Sequence, residues 1–161
     1  MTKGEGKMTA RIVSGLCGFL LLLCAAPAAV AQPLAFSKTV GNVEIDIGVM
    51  SAAAIRHYAA SRPEAEMHGG PPAGGGQYHL VVALFDANTN ARITKADVSA
   101  DVREIGVGGV EKQLMPMKIA GTVTWGAYFP MSGTALCHIA VTIRLPGRPQ
   151  PIHAVFVHSN S

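Results

Sequence analysis

The chain has 161 residues, of which 49% are hydrophobic and only 14% are charged, a composition that excludes an intrinsically disordered protein. Its 13 basic and 10 acidic side chains give a formal net charge of +3. Three of the basic residues, Lys3, Lys7 and Arg11, lie close to the N-terminus. The rest of the chain is nearly neutral and lacks the strongly basic surface of most nucleic-acid-binding proteins, so no nucleic-acid partner is expected.

Residues 1–31 have the three-part pattern of a secretory signal peptide. A polar, basic stretch precedes an apolar run over residues 12–30, and Ala29-Val30-Ala31 forms a small-x-small cleavage site. The apolar run approaches the length of a membrane span, so a retained anchor is the alternative. Pro27 and the alanines near the end of the run favour cleavage. The sequence therefore predicts a signal peptide at 1–31 and a single periplasmic domain at 32–161.

Seven segments of the domain have the alternating or continuously apolar pattern of β-strands. They cover residues 43–49, 78–85, 98–105, 111–119, 122–129, 136–145 and 152–158. A short helix is predicted after Ser51, which is a suitable N-cap, and it must end before Pro63. Residues 61–76 contain five glycines and three prolines and therefore form an irregular loop. These elements predict an all-β fold, an immunoglobulin-like antiparallel β-sandwich with one short helical insertion.

One cysteine, Cys137, follows the predicted leader, so the domain has no internal disulfide. Because Cys137 alternates with Ile139, Val141 and Ile143, it is expected to lie buried in a strand. No Gly-x-Ser-x-Gly elbow, phosphate-binding loop, dinucleotide fingerprint or Cys-x-x-Cys pair occurs in the sequence. We therefore expect the protein not to be an enzyme.

Histidine and methionine side chains are the best candidates for chemistry. All six histidines and five of the seven methionines follow residue 31. Thioether and imidazole groups together suit copper, especially Cu(I). Met67 and His68 stand in the irregular loop just before Gly69-Gly70, and His79 interrupts an otherwise apolar strand.

Three further methionines could complete such a site. Met115 and Met117 are expected to share one face of a strand, and Met131 follows the end of another strand. We predict a copper site built from Met67, His68 and His79, with Met115, Met117 or Met131 as an additional ligand. The structural alternatives are that the methionines fill the core and that His79 binds a backbone carbonyl.

The other strand histidines are predicted to lie at the surface. His138 alternates with polar residues, and His153 and His158 stand near the ends of the last strand. Histidine is usually partly exposed in folded proteins, which supports this assignment.

Two stretches, Tyr78-His-Leu-Val-Val-Ala-Leu-Phe-Asp-Ala and Ala91-Arg-Ile-Thr-Lys-Ala-Asp-Val, resemble small exported β-sandwich domains of the FixH and YtkA-like kind. The Leu114-Met-Pro-Met segment and the strands that follow continue the resemblance, which covers roughly residues 77–158. It implies a β-sandwich with an accessory role in periplasmic metal handling, often of copper. It supplies no ligand set for this chain.

Two functional hypotheses follow. The first is copper buffering or delivery in the periplasm. The second is an interaction module without a metal, in which the glycine-rich loop and the edge strand bearing Pro116 recruit an envelope or inner-membrane protein.

Overall fold

The computed structural model describes residues 36–58, 69–119 and 121–159. The predicted signal peptide, Met67 and His68 lie outside these ranges. The described residues form eight strands and one helix. Their bounds are β1 (Ser37–Val40), β2 (Val43–Ser51), α1 (Ala52–Tyr58), β3 (Gln77–Asp86), β4 (Asp97–Glu104), β5 (Gly109–Ile119), β6 (Thr122–Pro130), β7 (Leu136–Arg144) and β8 (Ile152–Ser159).

All strand pairs are antiparallel, in the order β1-β2-β3-β6-β5-β4-β7-β8. The first half of β5 pairs with β4, and its second half, from Met115 onward, pairs with β6. Strand β5 thus links a sheet made of β1, β2, β3 and β6 to one made of β4, β7 and β8. This connectivity is that of the immunoglobulin fold, and it confirms the predicted fold class.

The core lies between the two sheets and is built from the alternating apolar positions of the strands. Its largest fully buried side chains include Trp125 and Phe129 of β6 and Phe156 of β8. Cys137 is buried, as predicted. His158 is also buried, and its predicted surface position is wrong. Its place in the strand is an inward one, opposite Cys137, which overrides the polarity of the imidazole.

The short helix begins where the sequence indicates. The Ser51 hydroxyl accepts a hydrogen bond of 3.1 Å from the amide of Ala54, as an N-cap does. Helix α1 packs against β2 and β3. Its Arg56 side chain donates hydrogen bonds to the carbonyl oxygens of Pro72 and Gly74, which attaches the helix to the glycine-rich loop. Within the described ranges, no helix is both long and apolar enough to cross a membrane.

Candidate metal centre

The strand register places three of the six candidate metal ligands on one surface. His79 pairs with Tyr128, Met115 pairs with Gly126, and Met117 pairs with Thr124. Directly opposed residues project to the same face of a sheet. This face of β3, β6 and β5 is opposite to the one that carries Trp125 into the core. We call it the outer face.

Two of these side chains meet above Gly126. A Cβ atom on Gly126 would lie 2.7 Å from Cε of Met117 and 2.8 Å from Nε2 of His79. It would also lie 3.0 Å from the carbonyl oxygen of Leu80. Both side-chain atoms therefore occupy the space that a larger residue would fill, and they lie within a few ångströms of each other. We refer to His79, Met117 and Gly126 as the candidate centre.

The two donors of the candidate centre are buried although they point away from the core. His79 is 7% exposed and Met117 is 6% exposed. The Tyr128 ring stacks on the His79 ring, with 4.6 Å between centroids and 25° between planes. This stacking restricts the rotation of the imidazole, whose Nε2 lies close to the strand surface at Gly126.

Two cationic side chains lie near Tyr128: Arg56, and Lys112, which donates a hydrogen bond of 2.6 Å to the Tyr128 carbonyl oxygen. Burial raises the pKa of the Tyr128 phenol, and the nearby Arg56 charge acts in the opposite direction. Tyr128 is therefore neutral at physiological pH. Across the part of the chain that the structure describes, no three His, Cys, Asp or Glu side chains are grouped so that they could hold a metal ion. The candidate centre instead combines one imidazole and one thioether, a soft donor set that fits Cu(I) better than calcium, magnesium or manganese.

The remaining predicted ligands have different positions. Met115 shares the outer face but is 58% exposed, so it lies at the border of the candidate centre. Met131 is buried in the hydrophobic core and does not share this face. Met67 and His68 lie outside the described residues, and their role as ligands stays a prediction.

Two residues of this region were not identified from the sequence. Gly126 opens the space in which the donors meet, and Tyr128 holds the imidazole. An isolated glycine inside a strand is a known signal of close approach by another group. The Trp125-Gly126-Ala127-Tyr128 segment carries that signal. The stacking of Tyr128 has no signal of its own in the sequence.

Comparison with known proteins gives structural neighbours only. No family model matches the chain, and no curated protein matches it significantly. The resemblance to FixH and YtkA-like domains therefore receives no support from a family match. Several solved structures do match, all with low sequence identity.

Three of these structures represent the set. FetP from uropathogenic Escherichia coli is 18% identical with a TM-score of 0.56, over 80% of this chain and 95% of that chain. A copper-bound variant of P19 from Campylobacter jejuni is 11% identical with a TM-score of 0.60, over 79% and 94%. A DUF4426 family protein from Pseudomonas aeruginosa is 13% identical with a TM-score of 0.58, over 76% and 93%. This chain shares their fold. At such identities the likeness extends to the fold alone.

Proposed function

We propose that this protein is an exported copper-binding protein that holds Cu(I) at His79 and Met117 and buffers or delivers it in the periplasm without catalysing a reaction. The observation that carries the proposal is the convergence of His79 Nε2 and Met117 Cε on the space above Gly126. Met67 and His68 are candidates for completing the coordination. The predicted signal peptide supports the periplasmic location.

The structural neighbours support the choice of copper. Variants of both FetP and P19 were crystallised with copper bound, and the fold of this chain matches theirs. The donor chemistry of the candidate centre leads independently to the same metal, because a thioether is a poor ligand for hard cations.

Copper, when bound, would supply only a coordination centre. The residues determine how it is held. Tyr128 keeps the imidazole plane fixed, and Nε2 of His79 must be unprotonated to act as a donor. The Met117 thioether carries no proton at any accessible pH, so it remains available in acidic surroundings. We therefore expect copper affinity to fall in acid because protons compete with copper for the His79 imidazole. The Met117 thioether is not affected in this way.

A competition titration with Cu(I) and a chromophoric chelator tests the proposal. The parent protein should form a one-to-one complex of submicromolar affinity. His79→Ala and Met117→Leu should each weaken binding about tenfold or more, since each removes one donor. His138→Ala is the matched control, because His138 is exposed on β7 in the other sheet. Binding that is equal in all four proteins would place the metal elsewhere.

The two loop residues require their own measurement. Met67→Leu and His68→Ala should weaken the same complex if the loop supplies ligands, and their far-UV circular dichroism should stay like that of the parent. A parent protein with no measurable affinity for Cu(I) or Cu(II) would refute copper binding. The interaction module without a metal would then become the leading hypothesis.

A further inference from the structure

Two exposed methionines flank the candidate centre on the outer face. Met50 of β2 pairs directly with His79, and Met115 of β5 pairs directly with Gly126. Met50 is 50% exposed and Met115 is 58% exposed. These two thioethers are thus open to solvent on the same face that carries the buried donors.

The register places Met50 directly opposite His79, and Met115 lies two residues from Met117 on the same face of β5. Side chains of directly opposed residues in an antiparallel pair have Cβ atoms about 4.5–5.5 Å apart. Methionine has three rotatable side-chain bonds and can therefore span this separation in several conformations. Each exposed sulfur thus belongs to a residue beside one buried donor, Met50 beside His79 across the β2–β3 pair and Met115 beside Met117 along β5.

We propose that Met50 and Met115 are uptake ligands, which accept Cu(I) from solution and pass it to His79 and Met117. The proposal rests on the proposed function and adds the route by which the metal reaches the buried donors. Both donors are more than nine-tenths buried, so a hydrated or chelated ion meets little of their surface directly. An exposed thioether next to each buried donor gives the ion a first protein ligand.

The transfer is a ligand exchange without redox chemistry. Cu(I) remains Cu(I), a bond to the thioether sulfur of Met50 or Met115 breaks, and a bond to His79 Nε2 or Met117 Sδ forms. A thioether has no proton to release, and the neutral imidazole donates a lone pair, so neither proton nor electron leaves the protein. Soft thioether ligands are suited to such a step because they select Cu(I).

Transient ligands are expected to affect rates and not the final affinity. The test is stopped-flow loading of the purified protein from a Cu(I)–bicinchoninate complex, followed by the loss of its colour. The Met50→Leu/Met115→Leu double variant should load about tenfold more slowly, which corresponds to a modest rise of the barrier. Its equilibrium affinity in the competition titration should stay within about twofold of the parent value.

The control is Met131→Leu, a volume-conserving change in the core that usually has little effect on stability. It should leave both rate and affinity unchanged. Loading of the double variant at the parent rate would overturn the proposal. So would a fall in affinity equal to the fall in rate, because Met50 or Met115 would then be permanent ligands. Either result leaves the test of the proposed function intact, since that test depends on His79 and Met117.

Discussion

Among single residues, Gly126 has the largest effect on the shape of the candidate centre. Its hydrogen atom leaves a space that both the His79 imidazole and the Met117 methyl group approach more closely than a Cβ atom would permit. The φ angle of Gly126 is not in the left-handed region, so the backbone there does not require glycine. Glycine is required at position 126 because the His79 and Met117 side chains occupy the space above it.

Gly126→Ala should therefore act on the candidate centre more than on the backbone. The new methyl group must displace Met117 and His79, and it also meets the Leu80 carbonyl oxygen. Overpacking of this kind costs about 1–3 kcal/mol. If the strain is relieved by separating the two donors, Cu(I) affinity falls by about tenfold or more. The competition titration measures this change, with Gly48→Ala of β2 as the control, because a Cβ atom there meets no other group. Unchanged affinity in Gly126→Ala would show that the donors need not converge at this point.

Cys137 also carries a soft donor atom, the sulfur of its thiol. Its surroundings keep this thiol protonated. Burial raises the pKa of the Cys137 thiol, and the negative charge of Glu104 and its hydrogen bond with the thiol raise it further. A thiol that stays protonated is a poor nucleophile and a poor metal ligand.

We predict that Cys137 reacts with iodoacetamide far more slowly at pH 7 than an unfolded cysteine does. The raised pKa also makes a contribution to stability that is present below the unfolded thiol pKa of about 8.5 and is lost as the pH rises through the folded value. Mass spectrometry of alkylated protein measures the reaction, and the same chain in guanidinium chloride is the control. Alkylation at the rate of the unfolded chain would contradict the assignment.

At the scale of elements, β5 determines where the candidate centre forms. The strand leaves β4 after Leu114 and joins β6 at Met115, and the exposed Pro116 stands at this change of partner. The predicted position of Pro116 on an edge strand agrees with this place, because each half of β5 has one partner strand. Because the strand crosses from one sheet to the other, its second half brings Met115 and Met117 beside Gly126.

The turn after β3 is held together by hydrogen bonds to the side chain of Asp86. The Asp86 carboxylate accepts hydrogen bonds of 3.0 Å from the amide of Asn88, and of 2.9 Å and 3.0 Å from the amide and hydroxyl of Thr89. The hydrogen bonds from Thr89, followed by that from Asn88, lower the pKa of Asp86. The resulting stability is present above the unfolded carboxyl pKa of about 3.9 and is lost as the pH falls through the folded value.

Asp86→Ala should consequently lower the melting temperature at pH 7, and the difference from the parent should shrink toward pH 2. Asp86→Asn keeps one acceptor oxygen and should be the milder change. Thermal unfolding followed by circular dichroism across this pH range measures both. A difference that stays constant with pH would show that the ionised carboxylate contributes nothing.

The sequence predicts most elements of the fold because their signals are local. Alternation of apolar residues identifies seven of the strands, and Ser51 marks the start of the helix. Strand β1 is missed because its four residues are largely exposed and have no apolar alternation. The Gly41-Asn42 turn that joins it to β2 is a hairpin signal that could have indicated it.

The candidate site is only partly predictable from the sequence, because it depends on which strands pair and in which register. His79, Met115 and Met117 are recognisable as donors by type, and the parity of β5 places both methionines on one face. Their meeting with His79 requires that β3 pair with β6 and that β6 pair with β5 in a specific register. The pairing of β3 with β6 joins strands that are not consecutive, and single-sequence patterns do not determine it. The burial of His158 was missed for a different reason, because the polarity of the imidazole indicated a surface position although His158 has the same parity as the buried Ala154 and Phe156.

At the scale of the whole molecule, the fold separates stability from metal chemistry. The core between the sheets holds Trp125, Phe129 and Phe156 and no predicted ligand except Met131. The candidate centre lies on the outer face, where its donors can change without opening the core. Removal of bound copper should therefore leave the far-UV circular dichroism spectrum unchanged. A large spectral change on removal would mean that the metal supports the fold itself.

X-ray absorption spectroscopy at the copper K-edge identifies the atoms bound to the metal. In the Cu(I)-loaded parent protein, we expect directly bound sulfur together with an imidazole nitrogen. In His79→Ala the imidazole scattering should decrease, and in Met117→Leu the sulfur scattering should decrease. A spectrum with nitrogen and oxygen neighbours only, unchanged in both variants, would contradict a copper centre built from His79 and Met117.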